Sequence, residues 1–326
     1  MRVQLSAALV ALFAASAVGQ SLDSEFDALR RGGKRAEIET LARERLAQNP
    51  ADDIALWHLA GVVASDAGKR QDTIGRVERC IKEQPRSARC HSALGNLYSA
   101  LAASGSMSAG IKYAGRVKEM YLKAVELDPR HFGFRRELNQ FYLRAPGLAG
   151  GSVSKAIEGS KQYSQTDPAR GQVLMAEVQI YEEEFDDAEA TLASLRPGSD
   201  VDLAEAARDA TFGLGLALME DEQASRARQV FERQIASDPD YANAHFGLGR
   251  ALLELEKTDA AIASLQRALQ LDPAVRAHYR LGIAYENKGD VPQALAMYRR
   301  FLGYSPVGRA ADDVRKRIDK LSASRK

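Results

Sequence analysis

Only two cysteines, five histidines and one tryptophan occur in 326 residues. The histidines (His58, His91, His131, His245, His278) form no HxxxH or HxH pair. A structural zinc needs four suitably spaced ligands, so no metal site is expected. Charge of one sign is also missing, because 45 basic side chains face 44 acidic ones. A nucleic-acid binder would rest on a basic surface, and that class is set aside. No GxxxxGK[ST] loop is present, and no Ser–His–Asp set carries a local signature. No enzymatic activity and no cofactor are therefore expected. Beyond the first twenty residues no apolar run is long enough for a stable membrane span.

The first residues stand apart. Arg2 precedes an apolar run from Leu5 to Val18, and small residues follow at Ala15, Ala17 and Gly19. This is the pattern of a cleavable signal peptide over residues 1–19. No cysteine follows it, so a lipid-anchored product is not expected. Export to the periplasm of a Gram-negative bacterium is the expectation, with secretion as the lesser possibility. Two cysteines, Cys80 and Cys90, suit such an oxidising compartment.

What the chain has in quantity is repetition. Pro239, Pro273 and Pro306 are 34 and 33 residues apart, and Pro50 and Pro85 are 35 apart. Counted back from these prolines, "HFGLGRALLELEKTDAAIASLQRALQLDP" and "HYRLGIAYENKGDVPQALAMYRRFLGYSP" agree nearly column by column. "WHLAGVVASDAGKRQDTIGRVERCIKEQP" is a looser copy. With the proline set as position 32, apolar or small residues at positions 4, 7, 8 and 11 share one helix face. Positions 20, 24 and 27 share a face of a second helix. Gly61, Gly95, Gly215, Gly249 and Gly282 all occupy position 8. A glycine there costs helix stability, so its recurrence implies a neighbour too close for a side chain. Gly68 and Gly289, at position 15, are expected to end the first helix in the left-handed conformation.

These residues resemble the tetratricopeptide repeat: a residue such as Trp57 or His245 at position 4, Leu-Gly at 7 and 8, Ala at 20, an aromatic or leucine at 24, and a closing proline. The resemblance implies an all-α, right-handed superhelical solenoid of helix–turn–helix units, covering residues 20–308 in about eight hairpins. The units run approximately 20–53, 54–87, 88–131, 132–168, 169–207, 208–241, 242–274 and 275–308, with a capping helix over 309–326. Ala310, Val314, Ile318 and Leu321 would form that helix's apolar face. In the fifth unit Pro197 arrives early and should shorten the second helix.

The third and fourth units are too long, with 44 residues from Pro85 to Pro129 and 39 from Pro129 to Pro168. The surplus is placed in expanded turns near 102–110 and 145–152. In the third unit the second helix should start near Ser106 or Ser108 and run about two turns longer than usual. The second turn, "APGLAGGS", carries Pro146, Gly147, Gly150 and Gly151. Lys155 lies four residues past Gly151 and both flanks are helical, so the phosphate-loop reading fails. Pro146 would stop one helix and Ser152 or Ser154 would cap the next. The two turns could form a binding feature or merely pack on each other.

The resemblance also places positions 2, 5, 6, 9, 12 and 13 of each first helix on a concave, partner-binding face. On that face it puts Phe212, Phe246 and Tyr279 at position 5, Arg250 at position 9, and Arg276 and Arg280 at positions 2 and 6 of the last unit. The last two match the basic pair of the family's carboxylate clamp, although Gly247, Phe212 and Leu216 replace its polar residues. The implied partner is a protein or extended peptide with an acidic group or C-terminal carboxylate, bound by an adaptor or scaffold of the cell envelope. The alternative is a small-molecule-binding or enzymatic accessory protein with a pocket under the expanded turns. Cys80 at position 27 and Cys90 at position 3 of the next unit face each other across an inter-unit turn. They are expected to form a disulfide, the other reading being two buried thiols.

Overall fold

The computed structural model describes residues 23–104, 107–275 and 277–323, among which there are seventeen α-helices and no strand. The signal-peptide segment lies outside the described residues. The architecture is an all-α solenoid of helical hairpins, in two compact units that divide between Gln162 and Tyr163.

The first unit contains α1 (23–31), α2 (Arg35–Gln48), α3 (Asp53–Val63), α4 (Ala67–Glu83), α5 (Ala88–Ser104), α6 (Met107–Leu127), α7 (Phe132–Arg144) and α8 (Val153–Ser164). Aspartates start several of these helices by accepting amide protons that no helical carbonyl can take: Asp52 from Ala55, and Asp66 from Gly68 and Lys69. Gly68 therefore sits in the first turn of α4 and does not close α3, contrary to its position in the repeat. Cys80 of α4 and Cys90 of α5 are both buried, with Cα atoms 6.3 Å apart and their sulfurs bonded.

The surplus residues of the third hairpin lengthen its helices; they do not form an open turn across 102–110. Residues up to Ser104 belong to α5 and those from Met107 to α6. The two helices run 17 and 21 residues, against 13 and 14 in a regular hairpin such as α13 and α14. The fourth hairpin does carry an expanded turn. A short 3-10 turn, Gly147–Ala149, follows Pro146, and Gly150 takes φ 97°. Ser152 accepts from the amide of Lys155 at 3.4 Å and caps α8. Gly151 is obligatory, because a Cβ there would lie 1.7 Å from the Ala145 carbonyl oxygen.

The second unit contains α9 (Pro168–Tyr181), α10 (Phe185–Ser194), α11 (Val201–Glu220), α12 (Ala224–Ser237), α13 (Ala242–Glu254), α14 (Thr258–Leu271), α15 (His278–Lys288), α16 (Val291–Tyr304) and α17 (Arg309–Ala323). Before Pro197, α10 stops at 10 residues; α11 then begins at Val201 and runs 20, across the expected unit boundary at 207. Four consecutive hairpin turns place a left-handed residue at position 15: Glu183, Glu222, Glu256 and Gly289. Only the last is the glycine that conformation favours. On α17 the buried apolar residues are Ala311, Val314 and Leu321, packed on Tyr298 and Phe301 of α16, while Ala310 is exposed.

The glycines at position 8 have a specific cause. A Cβ on Gly215 would lie 2.5 Å from the Phe231 ring, on Gly249 2.5 Å from Leu265 Cγ, and on Gly282 2.3 Å from the Tyr298 ring. Phe231, Leu265 and Tyr298 all occupy position 24, and Tyr121 crowds Gly95 in the same way. Gly61 is the exception, with nothing within 4 Å of its would-be Cβ. Position 24 of that hairpin is the small Val77, which does not reach across.

Candidate functional site

Five of the six residues expected to contact a partner are described, and all five lie on the first helices of hairpins in the second unit; Arg276 lies outside the described residues. Phe212 of α11 and Tyr279 of α15 are committed to packing. The Phe212 ring is 5.7 Å from Phe231 and meets Tyr241 edge-on at 6.1 Å. The Tyr279 ring is 5.3 Å from Phe301, and its hydroxyl donates to Asp313 Oδ2 at 2.8 Å. Burial and then that bond hold the phenol above its ordinary pKa, so it stays a donor. An open aromatic ladder is therefore not formed; Phe212 and Tyr279 are walls of the hairpin core.

The arginines are different. Arg250 of α13 lies 5.9 Å over the Phe246 ring, and Arg280 of α15 lies 5.6 Å over the Tyr279 ring. Both are half-buried. Burial and then repulsion from Arg280 lower the pKa of Arg250, an effect that Glu220 and Glu254 oppose. The two guanidiniums thus share one electrostatic neighbourhood. Elsewhere in this unit arginines find carboxylates: Arg208 with Asp238, Arg226 with Asp186, Arg267 with Asp240, and Arg317 with both Asp313 and Glu286. Arg250 and Arg280 have no ion-pair partner among the described residues. Their aromatic supports hold each fork in place without consuming its donors.

The sequence profile of the tetratricopeptide repeat matches residues 212–274 and again 246–312. That match supports the tetratricopeptide repeat family for this chain. No curated protein matches it in sequence. Among solved structures, yeast Tom70 superimposes with a TM-score of 0.63 at 14% identity, over 90% of this chain and 60% of that one. The Cut9 and Hcn1 hetero-tetramer of APC/C contains a chain with a TM-score of 0.51 at 16% identity, over 91% and 55%. A tetratricopeptide repeat protein from Parabacteroides merdae gives 0.50 at 13% identity, over 81% and 98%. The chain thus spans less than two thirds of the first two, and likeness at such identity concerns the fold alone. Repeats of this family generally serve as protein-interaction scaffolds.

The packing of the hairpins also explains why a full carboxylate clamp is missing. A Cβ on Gly247 would lie 2.5 Å from the Phe231 ring, which fills the space a polar side chain would need. The expanded turn of the first unit offers little enclosure. None of Gly147–Ala149 is buried, and Leu148 is 97% exposed, so the turn projects outward. Among the described residues no cluster of His, Cys, Asp and Glu could hold a metal ion, and no helix is long and apolar enough to cross a membrane.

Proposed function

We propose that this chain is a non-catalytic adaptor or scaffold that binds a protein or peptide partner through an acidic group. The observation that carries the reading is the pair Arg250 and Arg280, half-buried, supported on Phe246 and Tyr279, and without an ion pair among the described residues. Arg250, half-buried beside a like charge, has Glu220 and Glu254 in its field but no ion pair with either, and an incoming carboxylate would supply one. Arg276, four residues before Arg280 in the sequence, belongs to the same proposal. The apparent signal peptide and the paired cysteines support export to the periplasm and a role in the cell envelope. The alternative, a small-molecule pocket under the expanded turns, loses its basis where 102–104 and 107–110 are helical and Leu148 points to solvent.

Fluorescence anisotropy with peptides bearing a free C-terminal carboxylate, against the same peptides amidated, tests the reading. The carboxylate form should bind more tightly, and Arg250→Ala with Arg280→Ala should weaken it by more than about tenfold, the loss of one or two charge-assisted bonds. Equal binding of acid and amide, or wild-type affinity in the double variant, would sink it. Export is tested by N-terminal sequencing of the protein recovered from the periplasmic fraction, where an intact Met1 would refute it.

A further inference from the structure

The first unit holds a charged group without a counter-ion among the described residues. Glu137 is on α7, and its carboxylate accepts from two residues of α5. The Ser92 hydroxyl donates to Oε2 at 2.6 Å and the Asn96 amide donates to Oε1 at 2.8 Å. Each of these is held from behind. Trp57 Nε1 of α3 donates to Ser92 Oγ at 2.9 Å, and the Tyr121 hydroxyl of α6 donates to Asn96 Oδ1 at 2.7 Å. Two chains of donors therefore converge on one carboxylate, and every dipole in them favours negative charge there. Burial and the neighbouring Glu137 charge hold Tyr121 well above its ordinary pKa, so its end of the chain remains a donor. No arginine or lysine pairs with Glu137 among the described residues, and burial raises its pKa to about 7 against the pull of its two hydrogen bonds.

The surroundings suit a cation. Trp57 and Glu137 are joined through a single hydroxyl, that of Ser92, so indole and carboxylate stand side by side. Around the indole, His131 and Phe134 pack edge-on at 5.5 and 5.8 Å, and the His58 ring is tilted against it at 4.9 Å, so its plane is fixed. Trp57 and Glu137 are each partly exposed as residues, although the carboxylate itself is deeply set. A fixed carboxylate beside an immobilised indole provides charge pairing and a cation–π face together.

We propose that Glu137 and Trp57, positioned by Ser92, Asn96 and Tyr121, form a receptor for a cationic side chain, lysine or arginine, of a peptide partner. The proposal rests on the peptide-binding reading for the nature of its ligand, but its site is separate from Arg250 and Arg280.

Trp57 is the single tryptophan of the chain, so its emission reports this site alone. The probes are N-acetyl-Gly-Lys-Gly-amide and its norleucine counterpart, titrated into the full-length protein. The lysine peptide should give a saturable change in emission, and binding should be at least about tenfold weaker with norleucine or in Glu137→Gln, the loss of one charge-assisted contact. The Arg250→Ala and Arg280→Ala variant should respond to the lysine peptide as the wild type does, so failure here and failure of the acidic-partner reading are distinguishable. Should Glu137→Gln not fold, carboxyl NMR of wild-type Glu137 decides, because bound lysine should lower its titration midpoint. Equal responses to lysine and norleucine, undiminished binding by folded Glu137→Gln, or an unmoved midpoint would overturn the proposal.

Discussion

The glycines at position 8 offer a test in which two identical substitutions should act in opposite directions. In Gly282→Ala the new methyl would lie 2.3 and 2.4 Å from two carbons of the Tyr298 ring. Tyr298 cannot swing aside freely: it is fully buried, and its hydroxyl donates to Glu286 at 2.6 Å. Overpacking of a filled core costs about 1–3 kcal/mol, and replacing a helical glycine by alanine returns about 0.5–1 kcal/mol. The net expectation is a loss of up to about 2.5 kcal/mol, with the tyrosine bond to Glu286 weakened. In Gly61→Ala the methyl meets nothing within 4 Å, so only the helical gain of about 0.5–1 kcal/mol remains. Repeat arrays need not unfold in one step, so each variant is best followed by a local probe as well as by helical content. Urea titration read by Trp57 emission serves the first unit, and circular dichroism with amide exchange on α15 and α16 serves the second. Destabilisation by Gly61→Ala, or no effect of Gly282→Ala, would refute the pairing of position 8 with the side chain at position 24. A Val77→Phe substitution in the Gly61→Ala background should then restore the clash.

Glu137 ties stability to pH. Its folded pKa is raised from 4.5 to about 7, so between those values the unfolded chain releases a proton that the native state retains, and stability should fall as pH climbs through that window. Glu137→Gln should flatten this slope in urea titrations from pH 4 to 8 (the range spanning the two values, about 4 units), and an unchanged slope would show that Glu137 is better solvated than its burial implies. Cys80 and Cys90 are 1% and 0% exposed and ten residues apart, so the bond should resist reductant in the folded protein and contribute about 3 kcal/mol by loop closure. Thiol titration of denatured, unreduced protein should find no free thiol, and two per chain would refute the bridge.

Much of the helical plan was written in local order. A 3.6-residue apolar period and prolines at a near-constant spacing act within a few residues, and a linear reading captures them. The shortening of α10 before Pro197 is of this kind. So is the glycine turn at 147–151, since proline and glycine restrict or free the backbone where they stand. Gly282 with Tyr298 was half legible: the recurrence of glycine showed crowding, but not what crowds it, nor that Val77 leaves Gly61 free.

Other features depended on how one helix is rotated against another. Glu137 meets Ser92 and Asn96 from 45 and 41 residues away, and Tyr279 reaches Asp313 from 34. A repeat register names the face a residue occupies, but it does not say which neighbour closes over it. Tyr279 and Phe212 thus occupy the positions expected of partner-binding aromatics and are spent on packing instead. Arg250 and Arg280 occupy the same face and are left without an ion pair among the described residues. The register of the repeats is set by local sequence because helix propensity and apolar spacing are short-range. Which charges remain without partners is decided by the tertiary packing, because electrostatic satisfaction depends on side chains that only the stacked hairpins bring together.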